Sequence, residues 1–224
     1  MKIISHTGIG KRKENQDVIL TEELYSDTTL CLIVDGMGGY ENGKIIAEKI
    51  ASSIFNNLNN VSMIDSIKID EAIKKTNLEV KIYNEKENSK SGATIGGAIV
   101  LKNKTYIFWV GDVSISLFKG KQMIFKSKSH TLINDMLDNK NILTNQTIEK
   151  YKHIVTNSIS GKREIIKKGF FEVENKEYDN LLICSDGVID KIAPSNFFNE
   201  DLNKINNYLL NNAIDNYSYV LITI

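Results

Sequence analysis

The apolar positions of this chain follow two rhythms. Between residues 42 and 58, Ile46, Ile50, Ile54 and Leu58 recur at every fourth position, with Ala47, Ala51 and Phe55 beside them. That is the spacing of a helix burying one face. A second helix is predicted from about Asp70 to Glu85, with Ile69, Ile73, Val80 and Tyr83 on one side, and a third from Asp201 to Asn212, carried by Leu202, Ile205, Tyr208 and Leu209. The other rhythm is that of short β-rich runs: "LCLIVDG", "GATIGGAIVL", "KTYIFWVGD", "SISLFKG", "KQMIFKS", "EIIKKGFFEV", "NLLICSDG" and the closing "YSYVLITI". The "KNK" and Gly-Asp between the central runs read as tight turns joining antiparallel strands. Residues from about Thr131 to Lys152 read as a short helical excursion. The prediction is an α+β fold in which packed antiparallel sheets carry helices outside.

Composition narrows the function classes. The 224 residues are 42% hydrophobic and 25% charged, ordinary values for a soluble globular protein. Lys+Arg and Asp+Glu number 28 each, and this zero net charge argues against a general nucleic-acid binder. The N-terminal stretch "MKIISHTGIGKRKENQD" lacks the apolar run of a signal peptide, and no window resembles a membrane span, so a cytoplasmic protein is expected. Cys31 and Cys184 lie in apolar runs and read as buried, reduced thiols. With no repeat or linker, residues 1–224 read as a single domain.

The candidate chemistry lies in aspartates at the ends of apolar runs. Asp35 ends "LIVDG", Asp186 ends "LICSDG", Asp112 ends "IFWVGD", Asp17 precedes "VIL" and Asp215 precedes the last run. One Asp-Gly at a strand end is usually a turn. Asp35 and Asp186 differ because their runs are almost continuously apolar up to the acid, and a charge at the mouth of a buried strand needs compensation. Stacked sheets that brought these ends together would gather carboxylates that require cations. Hard oxygen donors favour Mg²⁺ or Mn²⁺ over zinc.

Five blocks, in order and over nearly the whole chain, resemble the type-2C metal-dependent serine/threonine protein phosphatases of the PPM family, in their bacterial form. "GKRKENQD" resembles the R-x-x-N-[EQ]-D block, and "VDGMGGYENGKIIAEKIA" the DGxGG strand-turn-helix. "SGATIGGAIVLKNKTYIFWVGDVSISLFKGKQM" resembles the GxT hairpin and GDS block, "NLLICSDGVIDKI" the LLLCSDGxxD strand, and "DNYSYVLITI" the terminal DN-x-[TS] strand. The resemblance implies a β-sandwich flanked by helices on both faces, with a cleft at one end holding two Mn²⁺ or Mg²⁺ ions, or three. Asp35 would bridge two ions, the Gly36 carbonyl would ligate one, and Asp186 and Asp215 would complete the other. Asp17 would act through water, and Asp112, with Asp186 and Asp190, would form a third site. Phosphoserine and phosphothreonine would be hydrolysed through a metal-bridged hydroxide, with Arg12 gripping phosphate through its planar fork. The implied partners are phosphoprotein substrates and an opposing Ser/Thr kinase, with a monomeric enzyme.

The chain departs from the family pattern at several positions. Gln16 replaces an acid found in many members, Met37 stands where animal members carry a histidine, and Val113 and Ser116 alter the turn after Asp112. A flap-like insertion at about 129–161 starts with Ser129 in place of an aspartate and contains His130 and His153, read as structural. His6 is likewise read as structural, and Phe108 and Trp109 as core. An alternative function is a weak or inactive member that binds phosphoproteins, and another is a phosphatase of small phosphoesters. An aspartyl-phosphate phosphatase would want a second acid after Asp35-Gly36, where Met37 stands.

Overall fold

A computed structural model of the protein describes residues 1–25, 27–37, 42–165 and 168–224. Gly38 and Gly39, singled out with Gly36 in the turn after Asp35, lie outside them. The chain opens with strands β1 (Lys2–Gly8), β2 (Asp17–Glu23) and β3 (Thr29–Gly36), followed by helices α1 (Gly43–Asn59) and α2 (Ser66–Lys86). Four strands come next: β4 (Ala93–Val100), β5 (Lys104–Val110), β6 (Ser114–Lys119) and β7 (Gln122–Lys126). Two short helices, α3 (Leu132–Asp138) and α4 (Asn145–Tyr151), precede β8 (Gly169–Glu174) and β9 (Asn180–Cys184). The chain ends with α5 (Asp186–Ile189), α6 (Leu202–Asn212) and β10 (Tyr217–Thr223).

The strands form two five-stranded antiparallel sheets, β1-β10-β9-β6-β7 and β2-β3-β4-β5-β8. Period-2 alternation assigns each strand's two faces to different layers. In β3, Leu30, Leu32 and Val34 pack with α1 and α2, while Cys31 and Ile33 face the other sheet. In β9, Leu181 and Ile183 face the first sheet's partner, while Leu182 and Cys184 pack with Ile205 and Leu209 of α6. The result is helix, sheet, sheet, helix, with three apolar layers between them. Each fully buried Leu or Ile contributes roughly 1.5–3 kcal/mol relative to exposure, which explains the near-continuous apolar runs of strands buried on both faces. The α+β sandwich with helices on both outer faces agrees with the sequence expectation, and Cys31 and Cys184 are buried free thiols.

Several local readings are corrected. The second helix begins at Ser66, not near Asp70, because Asp65 caps it by accepting the Lys68 N–H at 2.8 Å. The helical excursion is two helices, each started by a threonine cap, Thr131 and Thr144. Of "EIIKKGFFEV", only the part from Gly169 onward is strand, while residues 166–167 lie outside the described set. The Gly-Asp after β5 does not close a hairpin, because β5 and β6 belong to different sheets. Gly111, at φ +106°, turns the chain from one sheet to the other, and Val113 then packs between the sheets.

Candidate functional site

The alternation that builds the inter-sheet layer also builds the site. Its central positions are apolar, and at one end of the sandwich the same faces become polar. Asp35 continues the series of Cys31 and Ile33, and Asp17 that of Ile19. Ser185 continues Leu181 and Ile183, and Ser218 continues Val220 and Ile222. Because neighbouring strands are antiparallel, the C-terminal ends of β3, β5 and β9 meet the N-terminal ends of β2 and β10. There they border a cleft of about 900 Å³ lined by Arg12, Asp35, Gly36, Asp112, Asp186 and Asp215.

Asp17 and Asp35 are register partners across β2 and β3, and Thr94 of β4 partners Asp35 on its other side. Asp17 is buried; Ser185 Oγ donates to its Oδ2 at 2.9 Å, while its Oδ1 is buried with no hydrogen-bond partner. Burial pushes Asp17 up to about 6, aided by the charge of Asp215. Burial lifts Asp35 well above the usual carboxylate range, and the charges of Asp17, Asp186, Asp112 and Asp215 add to it. Asp186 rises to about 7 through burial and the charges of Asp112, Asp215, Asp17 and Asp190. Burial also raises Asp112, as does Asp190, while His153 lowers it. One region of the protein thus holds more negative charge than it can ionise unaided.

Arg12 is the cationic counterpart. Its Nε and Nη2 donate to the two carboxylate oxygens of Asp215 at 2.7 and 2.5 Å, with about half of the arginine side chain exposed. The hydrogen bond and charge of Asp215 raise its already high pKa, so it is cationic at any working pH. The carboxylates ring the cleft: among the described residues, no three acidic, histidine or cysteine side chains are gathered around one point. Even so, the donor set fits hard divalent cations. It consists of oxygens, Asp17 Oδ1 lacks a partner, and the repulsion among the aspartates is of the sign that bound cations relieve.

The structure brings Arg12, Asp17, Asp35, Gly36, Asp112, Asp186 and Asp215 into one region. Asp190 is exposed and stands outside the cleft lining, within electrostatic reach of Asp112 and Asp186. Asp186 opens a helical turn rather than a strand-end turn, and its neighbour Gly187 is obligatory: a Cβ there would lie 2.0 Å from the Asn216 carbonyl oxygen. A Cβ on Gly36 would meet the Gly43 carbonyl at 2.7 Å. His130 is anchored to the strand ends, with its Nδ1 accepting the Gly111 N–H at 3.1 Å and its ring stacked on Trp109. His153 lines the cleft, as do Lys11 and Lys13, which the sequence presents as ordinary surface charges.

Three supporting residues escaped sequence reasoning. Asn216 accepts the Gln16 N–H at 2.9 Å and donates to the carbonyls of Ile9 and Glu14, fixing the loop that carries Arg12. Asn15 Oδ1 accepts the Asp17 N–H at 3.1 Å. Ser185 holds Asp17. Asn15, Ser185 and Asn216 lie inside quoted motifs, so the motifs themselves were the available signal.

The site is thus a carboxylate-lined cleft at one end of a two-sheet sandwich with helices on both faces. The chain belongs to the protein phosphatase 2C family, whose model matches residues 6–216. It is 28% identical over 210 residues to protein phosphatase PhpP of Streptococcus pneumoniae (serotype 2, strain D39), covering 87% of this chain and 82% of that one. The serine/threonine phosphatase Stp1 of Staphylococcus aureus superposes with a TM-score of 0.86 at 20% identity, over 100% of this chain and 94% of its own. The catalytic domain of the serine/threonine phosphatase PstP, solved in complex with two manganese ions, superposes with a TM-score of 0.78 at 18% identity, over 98% of this chain and 96% of its own. Likeness at these identities establishes the fold. Among the described residues, no helix is long and apolar enough to cross a membrane.

Proposed function

We propose that this protein is a Mn²⁺- or Mg²⁺-dependent phosphatase that hydrolyses phosphoserine and phosphothreonine in proteins. The observation that carries the reading is the convergence of Asp17, Asp35, Asp112, Asp186 and Asp215, raised in pKa by burial and mutual repulsion, beside the cationic fork of Arg12. Asp35, the Gly36 carbonyl, Asp186 and Asp215 are assigned to two cations, with Asp17 acting through water. Asp112 and Asp190, with Asp186, are assigned to a third, more exposed site. Cations held there would supply an activated water and charge neutralisation for a phosphate ester.

The chain's own residues supply binding and order. Arg12 presents two parallel N–H donors, now shared with the Asp215 carboxylate, in a geometry that suits two phosphate oxygens equally well. Ser185 and the Asp17–Asp35 register hold the acids in place before substrate arrives, so little reorganisation is required on binding. The enzyme is read as acting as a monomer. The implied biological setting is the cytoplasm, with a Ser/Thr kinase whose products this enzyme reverses.

The test is hydrolysis of p-nitrophenyl phosphate and of a phosphothreonine peptide, each with Mn²⁺ and with EDTA, by the wild type and Asp35→Asn. Turnover that requires Mn²⁺ and is lost in the variant supports the reading. Folded wild-type protein that turns over neither substrate at saturating Mn²⁺ overturns it in favour of a phosphoprotein-binding module.

A further inference from the structure

A second concavity, of about 970 Å³, lies outside the cleft, between α2 and the chain that leaves the flap. Five cations border it, Lys74, Lys81, Lys162, Arg163 and Lys168, against two carboxylates, Asp70 and Glu164. Asp70 is already engaged by Lys74 at 2.8 Å and Lys168 at 2.6 Å. Arg163 makes no ion pair with a described residue, and its side chain is exposed. Lys81 lies 3.9 Å from Glu85, so the groove keeps an excess of two positive charges, a local departure in a chain with 28 cationic and 28 anionic residues.

The groove is rigid. Asn77 of α2, nearly buried, accepts the N–H groups of Ser160 and Gly161 at 3.2 and 2.9 Å and donates to the Arg163 carbonyl at 2.8 Å. Gly161, at φ +70°, lies so close to α2 that a Cβ would stand 2.4 Å from the Lys81 Cα. One buried amide therefore clamps residues 160–163 onto the helix and fixes the backbone that carries Lys162 and Arg163. The groove also adjoins the cleft. A Cβ on Gly92 would touch both Met37 of the cleft wall and Ser160, the neighbour of Gly161 in the groove. Val155 lines the cleft and Gly161 the groove, so at most about 20 Å of extended chain separates them.

We infer that this groove is a docking site for an acidic segment of the substrate protein, lying within about six to eight residues of the phosphorylated Ser or Thr. The inference rests on the proposed phosphatase function and narrows its substrates. Complementary charge steers encounter and sets preference, and the aliphatic stems of the lysines together with exposed Leu78 offer apolar contact to the segment's backbone.

Two phosphothreonine peptides test it, one with four Asp/Glu residues five to eight positions from the phosphothreonine and one with Ser/Gln in their place. With Mn²⁺ at low salt, wild-type protein is expected to show about a tenfold lower KM for the acidic peptide, and 0.5 M NaCl should abolish the difference. The double variant Lys162→Glu/Arg163→Glu should lose the preference while hydrolysing p-nitrophenyl phosphate at the wild-type rate, which also reports that it is folded. Equal KM values for both peptides in the wild type overturn the inference and leave the phosphatase reading standing. If neither peptide is hydrolysed, that reading fails, and fluorescence anisotropy with the labelled acidic peptide decides the groove separately. Binding that the double variant loses supports the inference; absence of binding overturns it. Displacement by a single-stranded oligonucleotide of equal charge, as effective as the acidic peptide itself, also overturns it.

Discussion

Asp17 and Asp35 stand directly opposite each other on neighbouring antiparallel strands, both facing the gap between the sheets. Like charges in such a pair destabilise a sheet, and this pair has one buried carboxylate oxygen without any hydrogen-bond partner. The arrangement is costly for folding, and the proposed function gives it the task of holding cations, which leads to opposite predictions for stability and activity in a single variant. Asp35→Asn should melt a few degrees higher than wild type in EDTA, since relieving about 1 kcal/mol of repulsion shifts the midpoint by about 2–4 °C in a chain this long. The same variant should lose most of the stabilisation by Mn²⁺ and roughly a thousandfold in turnover, equivalent to about 4 kcal/mol of transition-state stabilisation. Thermal unfolding with and without Mn²⁺, paired with p-nitrophenyl phosphate kinetics, checks both halves.

The raised carboxylates set a pH dependence. Asp17 at about 6, Asp186 at about 7, and Asp35 and Asp112 above their ordinary 3.8 mean that the folded state holds more protons than the unfolded chain between about pH 4 and 7. Their contribution to stability is therefore greatest at the acid end and is lost as pH rises toward 7, by about 1.4 kcal/mol per pH unit for each extra proton held. His6, lowered by burial, offsets part of this below its ordinary 6.5. Asp70 works the other way only below about pH 4: burial raises it, but hydrogen bonds from Lys168 and Lys74 outweigh this and lower it overall. Urea midpoints in EDTA should fall from pH 5 to pH 7.5. Protons and cations compete for the same oxygens, so the difference between Mn²⁺ and EDTA curves should widen over the same interval.

Arg12 and Asp215 are 203 positions apart in sequence and joined by two charge-assisted hydrogen bonds. The pair is too exposed to contribute more than about 1 kcal/mol to stability, so Arg12→Ala should leave the melting temperature nearly unchanged. It should lower kcat/KM for a phosphopeptide by roughly 10- to 100-fold, the equivalent of one or two charged hydrogen bonds. Arg12→Lys, which keeps the charge without the fork, should recover only part of that loss. Full recovery by lysine would show that charge alone is what the site uses.

Asn216 makes three hydrogen bonds to the loop that carries Arg12 and Gln16. Asn216→Ala strands the Gln16 N–H and two carbonyls, at about 1–3 kcal/mol. The expected result is a melting temperature lower by several degrees and a raised KM for phosphate esters, since the loop no longer holds Arg12 against the cleft. A variant that melts lower with KM unchanged would reduce Asn216 to a purely structural role.

Much of this molecule was legible along the chain. The fourfold recurrence of Ile46, Ile50, Ile54 and Leu58 appears as the buried face of α1, and the Asp-Gly ends of the apolar runs appear at the cleft. The passage through Gly111 and Asp112 looked like a hairpin, because Gly-Asp is a turn signal whether the chain returns to its own sheet or crosses to another. The helical excursion read at 131–152 is present, but its division into two helices at the caps Thr131 and Thr144 was not legible, because such caps are weak signals without tertiary context. His153 and the clamp made by Asn77 left no trace in any period or motif, since each acts on residues brought near by folding.

By itself, the sequence determined the α+β class, most of the elements, and the identity of the acids at the strand ends. Those follow from local periodicity and from the cost of burying a charge, which are properties of neighbouring residues. Tertiary structure alone decided that β5 and β6 part company at Gly111, that Arg12 closes on Asp215, that Ser185 holds Asp17, and that five cations gather in the groove beside α2. Each of these is a contact between distant segments, selected when the two sheets stack their apolar faces. The energy that stacks them is non-directional burial, and it carries the polar ends of the strands to one place whatever their separation along the chain.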